Sequence, residues 1–307
     1  MRLMKGIELA RQFYNNEGKN ILEQFPEYKE RIAVGIFGGG SECYGFDDEI
    51  SLDHDVTQGF TMLLDGEDED KIGFELTRAY QRVVNNFTKS TAHATFSVDK
   101  FGVYKINDYF DRLLGFHTIP SDWRVWFYTP EYAFSEATNG EIFVDKLGEV
   151  TKFRKDLKQC YPLDVRLKKL AGHLSMMAQT GQYNYYRMQK RGDKGASLCA
   201  SEFVNHTLAV LFLLDNQFIP YYKWQFKALE QGKFGYLAEE INYLLTAPND
   251  DKKANIIENI AKIIINELRI KGYSSSNSDY LEHHAISVQE HIQNRQIKAL
   301  HLMDYGR

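Results

Sequence analysis

Asp53 and Asp55 stand one residue apart in a short apolar stretch, eleven residues after Gly38-Gly39-Gly40-Ser41. Alternate residues of a β-strand face the same side, so the two carboxylates would project together, about 6–7 Å apart. That separation suits a pair of Mg2+ ions, which take oxygen ligands and keep room for substrate phosphates. His54, between them, would point to the opposite face. The glycines let backbone approach an anion closely, and Ser41 adds a hydroxyl to the amide donors, so Gly39, Gly40 and Ser41 are candidate phosphate ligands. A phosphate cradle beside a carboxylate pair is equipment for moving a nucleotidyl group.

Two strands must present these residues. Ile32 to Phe37 is apolar, β-branched and short, and it stops at glycine, which predicts a buried strand ending in a tight turn. Leu52 to Val56 predicts a second strand, continuing through Phe60 to Leu64. Around them the spacing predicts helices over 4–17, 19–26 and 71–87, a strand over 101–106, a short helix from Asp108 to Gly115, and a strand over 141–145 after Asn139-Gly140. Asp65 to Asp70 reads as an exposed loop tip. After Gly148 strand signals fade, and helical patterns run over 150–160, 164–191, 195–215, 220–231, 236–247, 250–272 and 279–303. Asp164, following Pro162, reads as an N-cap. The expected fold class is α+β: a mixed sheet with helices over 1–149, then an all-α domain over 150–307.

The spacing of Gly40-Ser41 and Asp53-His54-Asp55 resembles the nucleotidyltransferase superfamily built like DNA polymerase β. A largely uncharacterised bacterial branch, which couples such a domain to a helical C-terminal half, is more similar still. Its likeness runs through Gly40-Ser41-Glu42-Cys43-Tyr44-Gly45-Phe46-Asp47-Asp48-Glu49-Ile50-Ser51, then Gly181-Gln182-Tyr183-Asn184-Tyr185 and Tyr221-Tyr222-Lys223-Trp224, and so extends over most of the chain. Leu52 departs from it, where that branch is expected to carry arginine. The architecture is similar to that of aminoglycoside and lincosamide nucleotidyltransferases. The resemblance implies catalysis by Asp53, Asp55 and a third carboxylate from a later strand, expected to be Asp145, with Asp99 and Glu141 as alternatives. It implies Mg2+, two ions held on Asp53 and Asp55, with ATP or another NTP as substrate.

Further candidates lie outside the signature. Lys168, Lys169, Asn184 and Arg187 on the 164–191 helix could contact a nucleotide, or simply form a solvated face. Lys223, flanked by Tyr222 and Trp224, suits a base-stacking and phosphate pocket or plain aromatic packing. Asp47, Asp48 and Glu49 could orient metal, or cap a turn. His283, His284, Glu290 and His291 are spaced too widely for one ion, since His284 and His291 are two helical turns apart.

Bulk composition narrows the classes. Of 37 basic and 42 acidic residues, 15 and 26 fall in 1–150, a balance of −11, which leaves +6 for the remainder and −5 overall. An acidic half suits metal capture and a basic half a polyphosphate. No duplex-DNA partner is expected, because such binders are strongly basic. No apolar run reaches the roughly 18–20 residues that cross a bilayer, and Met1 to Phe25 carries charges unlike a signal peptide, so no membrane partner and a cytoplasmic location are expected. Cys43, Cys160 and Cys199 are too scattered for a zinc or disulfide framework. A P-loop, a dinucleotide fingerprint and a nucleophile elbow are all missing from the sequence.

The expected function is transfer of a nucleoside monophosphate, AMP from ATP, to a hydroxyl of a small molecule, with release of pyrophosphate. The alternatives are a nucleotide-binding regulatory module without turnover, and nucleotidylation of RNA or protein.

Overall fold

A computed structural model of the chain describes residues 5–49, 59–88 and 100–306, and these group into two compact units. One comprises Met1–Ile119 with Tyr132–Gln159; the other comprises Pro120–Glu131 with Cys160–Arg307. The architecture is α+β, with a small mixed sheet among helices in the first unit and helices in the second. The change of texture near 150 does not coincide with the grouping. The helix Glu149–Leu157 joins the sheet unit, where Phe153 packs on Phe110 with ring centroids 4.6 Å apart.

Four strands form the sheet: β1 (Ala33–Ile36), β2 (Thr61–Leu64), β3 (Val103–Lys105) and β4 (Glu141–Val144), in the order β3-β2-β1-β4. β1 is central, and its Ala33, Val34 and Ile36 are nearly inaccessible, which is why it reads as a continuous apolar run. It is antiparallel to β2, with Gly35 opposite Thr61, and to β4, with Ile36 opposite Glu141; β2 and β3 are parallel. The β1–β4 ladder slips between Val34 and Gly35. A Cβ on Gly35 would stand 2.6 Å from the Glu141 carbonyl oxygen, so the irregularity needs glycine there. This register brings three features to one end of the sheet: the exit of β1 into Gly38–Ser41, the entry of β2, and the Asn139-Gly140 turn.

Helix Gly6–Phe13 continues through a π-helical turn, Tyr14–Gly18, to Leu22, so the two predicted helices are one. Its Phe13 and Tyr14 pack on Phe60 at 5.5 and 5.7 Å, and Phe60 meets Tyr80 edge-on at 5.2 Å. These aromatics form the core beneath the sheet. The helix predicted over 71–87 begins earlier, spanning Gly66–Thr88. Asp65 to Asp70 is therefore a helix start and not a loop tip. Asp65 Oδ1 accepts the N–H groups of Glu67 and Asp68 at 2.8 and 3.1 Å, and Asp68 is buried against Arg31. Acids gather there because unpaired amides and the helix dipole favour negative charge. Helices Trp123–Tyr128 and Glu131–Thr138 fill a stretch whose periodicity is too short to read.

In the second unit a helical run from Leu163 to Lys190 includes a π-helical stretch, Ala178–Tyr185. It packs with Gly195–Leu214. That helix is, among the described residues, long and apolar enough by length and composition to cross a membrane, yet Phe203, Val204, Leu208, Val210 and Leu211 are buried inside the unit. The segment predicted as one helix over 279–303 is broken into Leu281–Glu290 and Arg295–Lys298. Asn294 caps the second piece, and Asp164 accepts the N–H groups of Gln293 and Asn294 at 3.1 and 2.7 Å. Asp164 thus caps a distant turn instead of its own helix, which starts from Pro162.

Gly140 gives this fold a test. Its φ is +63°, and a Cβ there would collide with the Ile36 carbonyl oxygen. Gly140→Ala is expected to cost roughly 2–4 kcal/mol of stability, read from urea unfolding; an unchanged midpoint would contradict the described turn.

Candidate functional site: the glycine loop at the end of the central strand

β1 leaves the sheet through Phe37 into Gly38 and Gly40, whose φ values of +116° and +120° are disfavoured for residues with a Cβ. A one-turn helix, Ser41–Tyr44, follows and closes on Gly45 at φ +68°. The loop is held from outside. Asn139 Oδ1 accepts the Gly38 N–H at 2.9 Å, and Asn139 Nδ2 donates to the Gly38 carbonyl at 2.7 Å. The Tyr109 hydroxyl donates to the Phe37 carbonyl at 3.0 Å. Arg154, buried, donates through Nε to the Ala137 carbonyl at 3.0 Å and through its terminal nitrogen to the Asn139 carbonyl. Its guanidinium lies over the Phe37 ring at 4.6 Å, and burial lowers its pKa to about 10, so it stays cationic at neutral pH. Arg154 thus orients Asn139, and Asn139 orients Gly38.

The charges around this loop are mixed. Glu42, nearly buried, is ion-paired with Lys100. The pair lies over Gly40: a Cβ there would collide with the Lys100 ammonium and stand 2.6 Å from Glu42 Oε2. A Cβ on Gly39 would stand 3.2 Å from Glu136 Oε1. Two carboxylates and one ammonium therefore border a loop shaped to approach an anion. Asp47 is not part of this group, because its Oδ2 accepts the Gly6 N–H at 2.9 Å and starts the first helix.

The expected site residues fall in different places. Gly39, Gly40 and Ser41 form the loop, and Ser41 is buried. Asp53, Asp55 and Asp99 lie outside the described residues. Asp145 takes a different place from the one expected. It follows β4 at the end away from the loop, about 13 Å along the strand from Glu141. Its Oδ1 accepts the Gly148 N–H at 2.9 Å and its Oδ2 the Thr151 N–H at 2.7 Å, so both oxygens secure the start of helix Glu149–Leu157. Glu141 is at the loop end of β4, ion-paired with Arg11.

Lys168 is also placed otherwise. Its side chain is inaccessible, and its ammonium donates to Gln289 Oε1 and to the carbonyls of His301 and Leu302 at 2.8, 2.7 and 3.1 Å. Burial lowers its pKa to about 8. One donor holds helix Leu281–Glu290 through Gln289 and two hold the C-terminal segment, which leaves none for a nucleotide. Lys169 does similar work through the Tyr305 carbonyl and Glu131. Lys223 is exposed, its ammonium 4.8 Å from the centre of the Trp224 ring. Gln182 accepts the Leu281 N–H at 2.8 Å and donates to Glu258 Oε2 at 2.9 Å, while Gly181 fits against Phe203; that motif is structural glue. His284 is buried between the Ser274 hydroxyl and the Ser278 carbonyl. Among the described residues no group of three or more His, Cys, Asp or Glu is arranged to hold a metal ion.

Glu42, Lys100, Glu136, Asn139 and Arg154 are not among the residues singled out from sequence as site candidates. Asn139-Gly140 signals a turn, which is half of its role; nothing local in the sequence marks Arg154. Residues 126–225 match a family described as a domain of unknown function (DUF4037). No curated protein and no solved structure matches the chain. The matched stretch contains Glu136, Asn139 and Arg154, the side chains that surround and brace the glycine loop, but not the loop itself.

Two expectations follow. Lys168→Met strands three carbonyl-type acceptors, so it should lower stability by about 1–3 kcal/mol while leaving nucleotide affinity unchanged by calorimetry; a selective loss of nucleotide binding would restore Lys168 to the site. His173 and His206, Nδ1 to Nδ1 at 2.9 Å and packed on Tyr305, are buried, and burial lowers both pKa values from 6.5, that of His206 to about 4. The unfolded chain would protonate first, so stability is full above pH 6.5 and falls as pH drops toward 4. Urea unfolding of the second unit should show that loss, and His206→Phe should make it shallower; identical profiles would contradict it.

Proposed function

We propose that the protein is a metal-dependent nucleotidyltransferase that moves a nucleoside monophosphate, AMP from ATP, onto a hydroxyl of a small molecule and releases pyrophosphate. The observation that carries this reading is the braced glycine loop with Glu42 and Glu136 against it. A loop with that backbone suits close approach by phosphate, but the neighbouring carboxylates repel an anion unless cations intervene. An Mg2+–triphosphate is the ligand chemistry that reconciles the two. Asp53 and Asp55, which lie outside the described residues and precede β2 in the sequence, would hold the metal. When bound, Mg2+ offsets charge on the triphosphate during in-line displacement.

The chain's own groups supply the rest. Gly39, Gly40 and Ser41 would orient the phosphates, and Asn139 and Arg154 would keep that loop from moving during the reaction. Glu136 is the candidate third carboxylate on position alone, because it lies against Gly39, whereas Asp145 follows β4 at the end away from the loop. It would accept the acceptor's proton. A cytoplasmic location fits a substrate drawn from the cellular ATP pool.

The decisive experiment supplies each labelled NTP with Mg2+ to the purified chain together with small-molecule, RNA and protein fractions. Pyrophosphate release with label in the small-molecule fraction is expected, and Asp53→Asn or Asp55→Asn should reduce it by roughly two orders of magnitude. Label in RNA or protein would change the acceptor. Tight ATP binding with no transfer to any fraction would favour a regulatory module.

A further inference from the structure

Lysines that serve only to hold this fold have a recognisable form. Lys168 is inaccessible and saturates three donors, Lys169 is inaccessible and reaches a carbonyl and a carboxylate, and Lys253 is buried on the Leu244 carbonyl at 2.7 Å. Lys100 differs. Its side chain is 24% exposed, and among the described residues its one hydrogen-bond partner is Glu42, leaving two of three ammonium donors. The ammonium sits 5.6 Å from the centre of the Phe101 ring. It is also the nearest heavy atom to the space above Gly40, which a phosphate lying on the loop would enter.

We propose that Lys100 is a phosphate-binding residue whose ammonium rests on Glu42 until the triphosphate of a nucleotide arrives. The inference rests on the nucleotidyl-transfer reading and names the side chain that meets the phosphates. Glu42 directly follows Ser41 and is 10% exposed, so it holds the ammonium at the loop without sealing it. An ammonium that uses one of its three donors on a single carboxylate can exchange onto a more highly charged phosphate group, because charge-assisted hydrogen bonds strengthen with acceptor charge. Glu42 and Glu136 also border this loop, so an ammonium here offsets carboxylate charge that phosphates would otherwise meet. The Glu42 carboxylate released by the exchange stays beside Gly40.

Calorimetry on the full chain separates the possibilities, using Mg2+ with ATP and, separately, adenosine. Lys100→Gln is expected to weaken ATP by roughly tenfold to a hundredfold, to leave adenosine unchanged, and to flatten the salt dependence of ATP binding. Lys100→Arg should recover most of the affinity. The Glu42→Gln/Lys100→Gln double variant, which leaves no lone buried charge, should bind ATP as weakly as Lys100→Gln while melting like the wild type. Equal ATP affinity in wild type and Lys100→Gln would overturn the inference and leave nucleotidyl transfer standing. A parallel loss for ATP and adenosine, with lowered melting that the double variant repairs, would make the pair structural and overturn it too. Wild type that binds neither ligand would remove both the inference and the function it rests on.

Discussion

The double hydrogen bond between the Asn139 amide and Gly38 is the constraint on which the first unit's chemistry depends. It replaces the strand ladder at the point where β1 leaves the sheet, and gives the first loop residue both a donor and an acceptor. A backbone at φ +116° has no regular neighbour to bond, and buried peptide groups without partners are costly. A side chain from the next strand's turn solves both problems. Arg154 then fixes Asn139 from behind, so the loop's shape is set by residues more than a hundred positions away.

Charged side chains of both signs border that loop. A glycine loop alone would accept any small anion. Under the proposed function, Glu42 and Glu136 beside it would favour an anion that brings divalent cations over a bare phosphate. Lys100 is ion-paired with Glu42. The buried polar groups of the second unit act in another way: Lys168 and Lys169 fasten the C-terminal segment, and His173 and His206 share a core with Tyr305. The two lysines are matched by partners and closed to solvent, as a structural role requires, whereas among the described residues the buried Nε2 atoms of His173 and His206 have no hydrogen-bond partner.

The sequence made the strands legible because β1, β3 and β4 are short, apolar or alternating, and bounded by glycine or Asn-Gly. The long helices of the second unit were equally plain. Helix starts were less so: Asp65–Asp70 looked like a solvated tip because charge density does not distinguish a loop from an N-terminal turn. Asp145 illustrates the limit for sites. Its place at the end of a strand was read correctly, but only the register, with Ile36 opposite Glu141, reveals that this end faces away from the loop. Lys168 looked like a surface cation because the segment that covers it, 301–306, lies more than 130 residues on. Asn139 and Arg154 brace the loop by long-range contacts, and no local pattern encodes such contacts.

The proposed function turns on a metal-bound triphosphate lying on the loop at the end of β1. Crystals grown with Mn2+ and a non-hydrolysable ATP analogue test it most directly, through the anomalous signal of the metal. The account predicts manganese bound by Asp53 and Asp55, with the phosphates against Gly39, Gly40 and Ser41 and the Lys100 ammonium turned onto them. Nucleotide bound elsewhere, or manganese absent from that acidic pair while nucleotide occupies the loop, would contradict it.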